Sequence, residues 1–402
     1  MSKVFKIGVV GLARGRTMCE MFATQFDNTT VTAVCETNGS AVDACRRFLS
    51  PDVKVYDDYD AFLKEDLDAV VLANYFCDHA AFAVKAMEAG VAVLSETTAA
   101  PTLGECVQLV ETAERTNAKY MLAANCLYFP AVHAMKPMLE ESKYGKILFA
   151  EAEYIHGPDG DINAIPPADP ENLHWRQTLP SSYYNMHTLG PLMYITHAMP
   201  VKVFSKGSYD PEYCRKIGKM TDAPTAFVLT QMDNGAVFNT TGCAAHHPTS
   251  KWYRVVCENG TMETVRYDYH EDLLHVCDRG HHYEQTLYNW RTSGVAPKDY
   301  VHGTAERWGH GGIDYFMCYY FKEYLEGKLE PFFDVYRSAA LSAVGILSWY
   351  SALSGKEYTV PDFKKKEDRD AIRDDFRTPF AKSYKDLTLP CRLADKDQFE
   401  AD

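Results

Sequence analysis

The sequence predicts an α/β fold class: a doubly wound parallel sheet, followed by an α+β domain with an open, mainly antiparallel sheet. Three observations predict it. The first third alternates short runs that are apolar on both faces with amphipathic stretches, which calls for parallel strands covered by helices on either side. A glycine-bearing turn joins the first strand to the first helix. From about residue 201 the grammar changes to alternating segments with turn signals, as antiparallel strands require.

Val4 to Val10 reads as the first strand, and Met18, Met21, Phe22 and Phe26 then recur at helical spacing. Val31 to Cys35 is a second buried strand. Asp68 to Ala73, Ala92 to Ser95 and Tyr120 to Ala124 continue the series, separated by helices over His79 to Ala89 and Leu103 to Thr116. These elements define a nucleotide-binding domain over 1–125. A helix near Ala131 to Glu141 then leads into a strand, Ile147 to His156, and a loop holding Pro158, Pro166, Pro167 and Pro170. Asp233-Asn234-Gly235 is a hairpin turn between two strands. Two long helical patterns, Ile313 to Glu326 and Val335 to Leu353, cover this sheet or return to the first domain. The second domain is expected over 126–362, with a charged arm over 363–402.

At 402 residues, 46% hydrophobic and 24% charged, the chain has globular proportions and is not a disordered one. Its 41 basic and 55 acidic side chains leave a net charge of −14, which argues against nucleic acid or an anionic membrane as partner. The twelve cysteines include no C-x-x-C pair and are expected as reduced core thiols. His246-His247 and His281-His282 are adjacent pairs, which on a strand point to opposite faces and make no chelate. No metal is expected. The N-terminus passes at once into a strand, and no apolar run approaches the ~20 residues of a membrane span, so the expected location is cytoplasmic.

The turn after the first strand contains Gly11, Leu12, Ala13, Arg14, Gly15 and Arg16. There, backbone N–H groups and a helix N-terminus can face a pyrophosphate; a tight turn without ligand is the other reading. Against the pattern G-x-G-x-x-G, Gly11 fits, Ala13 takes the second place and Arg16 the third, with Gly15 one place early. Glu36 ends the second strand, 25 residues after Gly11. A carboxylate there accepts both ribose hydroxyls and repels a 2′-phosphate, which favours NAD over NADP. Asn74 and Glu96 follow the fourth and fifth strands, at the carboxyl ends where open α/β sheets bind ligands.

With Asn74 to His79 leading into AFAVKAMEAGVAVLSE, and with Asn125, Tyr128 and Pro130, the pattern resembles the Gfo/Idh/MocA oxidoreductase superfamily. These are sugar dehydrogenases with a Rossmann domain and a second α/β domain whose open sheet often forms subunit contacts. The resemblance implies cofactor contacts from the turn Gly11 to Arg16 and from Glu36, Asn74, His79, Glu96 and Asn125. It also implies a homodimer or homotetramer through the open sheet. Most members carry Glu-Lys-Pro after the fifth strand, the lysine acting at the reacting hydroxyl. Here the stretch is Glu96-Thr97-Thr98, and a threonine has no useful proton affinity near neutrality.

A more specific likeness explains the gap. The NAD-dependent glycosidases of glycoside hydrolase family 109, of N-acetylgalactosaminidase type, also lack that lysine. The chain is similar to them in SETTAAPTLGECVQLVETAERT, Asn125 to Tyr128, EAEYIHG with His156, His174-Trp175-Arg176, and Tyr184 to Pro191. Farther on, Gly309-His310-Gly311-Gly312-Ile313-Asp314 and FDVYRSAALSAVGILS also match. Ala13 and the loop after His156 depart from that pattern, and no export signal precedes the first strand, so the sugar's identity is not carried over. The resemblance implies hydrolysis of a small-molecule glycoside without net redox change. Transient oxidation at C3 is followed by loss of the C2 proton, expulsion of the aglycone, water addition and re-reduction.

Tyr184 and His187, three apart, project to one side of a helical stretch. The resemblance implies Tyr184 as the base over C2 and His187 as the partner of the C3 hydroxyl. Tyr128, His156, Trp175, Arg176, His310 and Asp314 are the expected substrate contacts. Trp175 offers an apolar face to a pyranose and Arg176 a fork for an anionic or hydroxyl group, or both pack. His310 and Asp314, four apart, bind sugar hydroxyls, order neighbouring side chains or cap the helix. Two alternatives stand beside the hydrolase: an NAD-dependent sugar or inositol dehydrogenase using Tyr184 or His187 in place of lysine, and a non-catalytic sugar-nucleotide sensor.

Overall fold

The computed structural model describes residues 3–141, 143–157, 169–243, 245, 249–266, 272–280 and 282–399. They form two compact units: Met1–Asn125 with Val301–Ala339, and Cys126–Tyr300 with Ala340–Asp402.

The first unit holds six strands, β1 (Phe5–Val10), β2 (Thr29–Cys35), β3 (Lys54–Tyr56), β4 (Ala69–Leu72), β5 (Ala92–Ser95) and β6 (Tyr120–Leu122). They run parallel in the order β3-β2-β1-β4-β5-β6. Helices α1 (Gly15–Thr24), α2 (Gly39–Cys45), α3 (Tyr59–Phe62), α4 (His79–Glu88) and α5 (Leu103–Thr116) alternate with them. Val9, Val70, Val71, Val93 and Leu94 are wholly buried, so the central strands must be apolar on both faces, as the sequence had them. The strand order reverses between β1 and β4, and a crevice at such a switch point is where ligands bind.

The second unit begins with α6 (Pro130–Glu140), β7 (Ile147–Ile155), α7 (Trp175–Thr178) and α8 (Met186–Thr196). There follow β8 (Pro200–Gly207), α9 (Pro211–Lys216), β9 (Thr225–Met232), β10 (Val237–Cys243), β11 (Ser250–Cys257), β12 (Gly260–Thr264), β13 (Leu273–Asp278) and β14 (Tyr283–Leu287). Nine strands order as β14-β13-β12-β11-β7-β10-β9-β8-β15, where β15 is Tyr358–Thr359. Only the β7–β10 pair is parallel, so the sheet is open and mainly antiparallel, as expected. Gly235, at φ +89°, makes the β9–β10 hairpin turn possible. Ala150, Ala152, Val228, Phe238, Tyr253 and Val255 are buried on the covered face.

Of the two long C-terminal helices, α10 (Ile313–Leu325) belongs to the first unit. Its Phe321 meets Phe22 of α1 edge-on at 6.2 Å and its Tyr315 meets Phe26 at 5.6 Å. α11 (Val335–Ser354) follows. The stretch expected as a charged arm, described to residue 399, also carries buried apolar residues. Phe363, Phe380, Leu389 and Cys391 are buried, Trp349 donates to the Pro390 carbonyl at 2.7 Å, and the N–H groups of Leu393 and Ala394 donate to Asp222. Apolar anchors spaced too widely to show periodicity hold it on the second unit.

None of the twelve cysteines forms a disulfide, and ten of them are buried. Among the described residues no helix is long and apolar enough to cross a membrane, and no three His, Cys, Asp or Glu side chains converge as a metal set. His246, His247 and His281 lie outside the described residues, and His282 pairs with Asp278 at 3.0 Å.

Candidate functional site

The functional side chains fall into one group per unit. In the first unit, Gly11 has φ +80°, and a Cβ there would lie 2.5 Å from the Ala73 carbonyl oxygen; only glycine lets the β1–α1 turn lie against the end of β4. At Gly15 a Cβ would stand 3.1 Å from that of Ala73. Leu12 N–H donates to Glu36 Oε2 at 2.6 Å and Asn38 N–H to Glu36 Oε1 at 2.8 Å. One carboxylate thus ties the β1–α1 turn to the segment after β2. At the end of β4, both polar atoms of the Asn74 amide are buried with no hydrogen-bond partner among the described residues, an arrangement that calls for a ligand. Ala13 and Arg16 are exposed.

The residues fit NAD. The turn from Gly11 to Arg16 would take the pyrophosphate, Glu36 the ribose hydroxyls, and Asn74 the polar groups beside the β1–β4 crevice.

Five of the expected ligand contacts join in one ionic network inside the first unit. Arg14 donates to Asp314 through Nη1 (2.6 Å) and Nη2 (3.0 Å), and through Nε to Glu96 at 2.8 Å. Asn125 Nδ2 donates to Asp314 at 2.9 Å, and His310 Nδ1 lies 2.9 Å from it. The Asp314 side chain is 0% exposed, and four groups occupy its two oxygens. Burial by itself would raise its carboxyl, but Arg14 and His310 outweigh burial and hold it well below the ordinary carboxylate range. Asp314 therefore has no oxygen left for a sugar hydroxyl, which corrects its expected role as a substrate contact. It orders Arg14 and the glycine turn, while His310 keeps an exposed ring beside it.

His79 is 1% exposed, with Nδ1 2.9 Å from the Thr98 carbonyl and Nε2 3.3 Å from that of Asn74. Burial lowers its proton affinity, and the ring, enclosed between these two carbonyls, braces the segment after β5.

In the second unit, Tyr184 lies in a short 3₁₀ turn (Ser181–Asn185) and His187 in the first turn of α8. A Cβ at position 242 would lie 2.7 Å from the Ser181 carbonyl, so Gly242 lets this turn seat on β10. Asn185 beneath it accepts from Thr188 at 2.7 Å and from Thr240. Four rings gather there. Tyr154 stacks on His187 at 4.4 Å and lies 6.1 Å from Tyr184, 5.7 Å from His156. Tyr184 and His187 are 5.7 Å apart. Arg176 Nη1 donates to the Tyr184 oxygen at 3.0 Å, and its guanidinium lies 4.4 Å over the Trp175 ring. The Cys126 thiol lies 3.7 Å from His187 Nδ1, and Tyr253 donates to the His187 carbonyl at 2.8 Å. Tyr128 is half-buried two residues after Cys126.

Residues 5–124 match the oxidoreductase family with an NAD-binding Rossmann fold, and residues 203–368 match the C-terminal domain of glycosyl hydrolase 109. The chain joins a Gfo/Idh/MocA NAD-binding domain to a glycosyl hydrolase 109 C-terminal domain. Glycosyl hydrolase family 109 proteins from Shewanella sp. (strain W3-18-1) and Shewanella putrefaciens are each 25% identical over 409 residues, covering 90% of this chain and 85% of the relative. Levoglucosan dehydrogenase, solved with NADH and levoglucosan, superposes with a TM-score of 0.73 at 18% identity, over 90% of this chain and 100% of that one. An Agrobacterium radiobacter oxidoreductase solved with NAD⁺, L-tartaric acid and magnesium gives 0.70 at 15% identity, over 89% and 98%. The Gfo/Idh/MocA domain is NAD-binding, as the glycine turn and Glu36 had implied. Tyr184 and His187 lie between the two matched ranges.

Sequence reasoning missed Tyr154, Cys126 and Gly242. Tyr154 had a signal: two residues before His156 at the end of a strand, it shares that residue's face. Cys126 and Gly242 had none, since each is defined by a contact distant in sequence.

Proposed function

We propose that this chain is an NAD-dependent glycoside hydrolase that cleaves a glycosidic bond by transient oxidation and re-reduction of the sugar, with no net redox change. The observation that carries the reading is the Tyr184–His187 pair, ordered by Tyr154 and Arg176, in a chain with threonine at position 97. NAD, when bound, supplies a reversible two-electron oxidant at one sugar carbon.

The chain's own side chains move the protons. His187, its ring held between Tyr154 and the Cys126 thiol, takes the proton of the C3 hydroxyl. Tyr184, as its phenolate, receives the C2 proton once C3 is a ketone. Arg176 donates to the oxygen that carries negative charge when the phenol acts as base. Elimination then expels the aglycone from C1, and water adds to the enone. His156, Trp175 and Tyr128 are the chain's sugar contacts. A positioned base contributes roughly 10²–10⁴-fold. Tyr184→Phe should lose that much turnover of an aryl glycoside while titrating with NAD as the unaltered chain does; full activity in this variant would remove Tyr184 from the mechanism.

A second reading, NAD-dependent sugar dehydrogenation, draws on the same pair and on the fold shared with levoglucosan dehydrogenase. It predicts one NADH per sugar consumed, where the hydrolase accumulates none; the sugar-nucleotide sensor predicts neither product. We also place the activity in the cytoplasm, which suits twelve cysteines that form no disulfide. The sheet's outward face is the proposed subunit contact, because Phe149, Phe204, Phe227, Leu229 and Val237 stand exposed on four adjacent strands.

A further inference from the structure

Lys219 is 3% exposed in the loop after α9. Its ammonium meets a carbonyl: Nζ donates to Leu179 O at 3.4 Å. Burying an ammonium without a counter-ion is costly, yet among the described residues no carboxylate pairs with it. Arg176 shares this condition. Half-buried, it donates to the Tyr184 oxygen and lies over Trp175, and no carboxylate pairs with it among the described residues.

The two cations belong to one locality. Met220 N–H donates to the Gln177 carbonyl at 2.8 Å, which fixes the residue after Lys219 against the residue after Arg176. The Leu179 carbonyl that receives Lys219 lies five positions before Tyr184. Cys243, which lies near Lys219, accepts the His156 N–H on its own carbonyl at 3.1 Å. Lys219 thus stands behind the segment that links Arg176, Tyr184 and His156. In a chain of net charge −14, two cations left without carboxylates in one small region require a reason.

We propose that the substrate is an acidic glycoside, whose oxyanion (a carboxylate, or a sulfate or phosphate ester) takes Arg176 and Lys219 as its counter-ions. This rests on the glycoside-processing reading above and names its substrate class. Arg176 presents the remaining edge of its fork to the oxyanion, and Lys219 supplies a point charge from below. Burial holds the Lys219 ammonium down to about 8; an arriving anion stabilises its charged form.

The test uses the full chain saturated with NAD. Titration calorimetry compares methyl α- and β-glycosides of glucose and galactose with the corresponding uronic acids, 6-sulfates and 6-phosphates. At least one acidic series should bind about 10-fold or more tightly than its neutral parent, the weight of one charge-assisted hydrogen bond. Which series is favoured separates carboxylate from ester. Lys219→Met should bring that acidic-to-neutral ratio toward one and Lys219→Arg should keep it, a pattern that a packing role for Lys219 would not produce. Each variant's thermal unfolding confirms that it is folded. Equal affinity for acidic and neutral members, no binding of any member, or a ratio unchanged in Lys219→Met overturns the proposal. The hydrolase reading fails separately, if an acidic aryl glycoside binds preferentially but yields NADH and no aglycone.

Discussion

Arg14 and Asp314, 300 positions apart in sequence, form a two-point ion pair with Nη1–Oδ2 2.6 Å and Nη2–Oδ1 3.0 Å. The pair fastens the turn that follows the first strand to the first residues of α10, so the cradle for the cofactor is set partly by a helix from the far end of the chain. Glu96 completes it by taking Arg14 Nε.

Asp314→Asn should therefore cost stability, by about 3–5 kcal/mol if the half-buried guanidinium is left short of a partner. Urea unfolding measures it. The pH dependence has a definite sign. The folded carboxyl sits below its ordinary range because Arg14 and His310 outweigh burial, so the unfolded chain takes up the proton first as pH falls. The contribution is present above the ordinary carboxylate value near ~4 and is lost as pH drops below it. The variant should lack this acid-range slope.

Glu36→Ala should weaken NAD binding roughly 10–100-fold, the loss of 1.5–3 kcal/mol from hydrogen bonds to a charged group. It also frees the Leu12 and Asn38 N–H groups that the carboxylate now receives. Calorimetric titration with NAD checks the size, and an unchanged affinity would remove Glu36 from the cradle.

Lys219→Met should raise the midpoint of thermal unfolding near pH 7 in the absence of any glycoside. The folded ammonium is pushed by burial from 10.5 to about 8. Between those values the unfolded chain holds more protons, so stability of the unaltered protein rises as pH climbs through this window. The methionine variant should show a flatter alkaline limb in melts between pH 7 and 10.

Phe227→Lys combined with Leu229→Lys should lower the mass measured by light scattering, because both side chains stand on the outward face of β9. An unchanged mass would move the subunit contact elsewhere.

The central strands of the first sheet were legible because each is a continuous apolar run with a helix on either side. Glu36 was legible because a carboxylate at the end of the second strand has few other uses. β3, α2 and α3 were not: three to seven residues each, they are too short for periodicity to emerge. Asp314 was read with His310 from their i, i+4 spacing, and that contact exists at 2.9 Å. Its stronger partner, Arg14, could not be inferred, since no local pattern records a pairing over such a distance. Lys219 was invisible for a related reason. A lysine in a Gly-Lys-Met-Thr loop looks solvated, and only the fold around it excludes water.

The most direct measurement runs the purified chain in D₂O with an aryl glycoside and a catalytic amount of NAD⁺, following aglycone, NADH and the deuterium content of the released sugar. The account predicts aglycone beyond the NAD⁺ supplied, no accumulating NADH, and deuterium at C2. Aglycone release without deuterium at C2, or undiminished release by an NAD-free preparation, would contradict it.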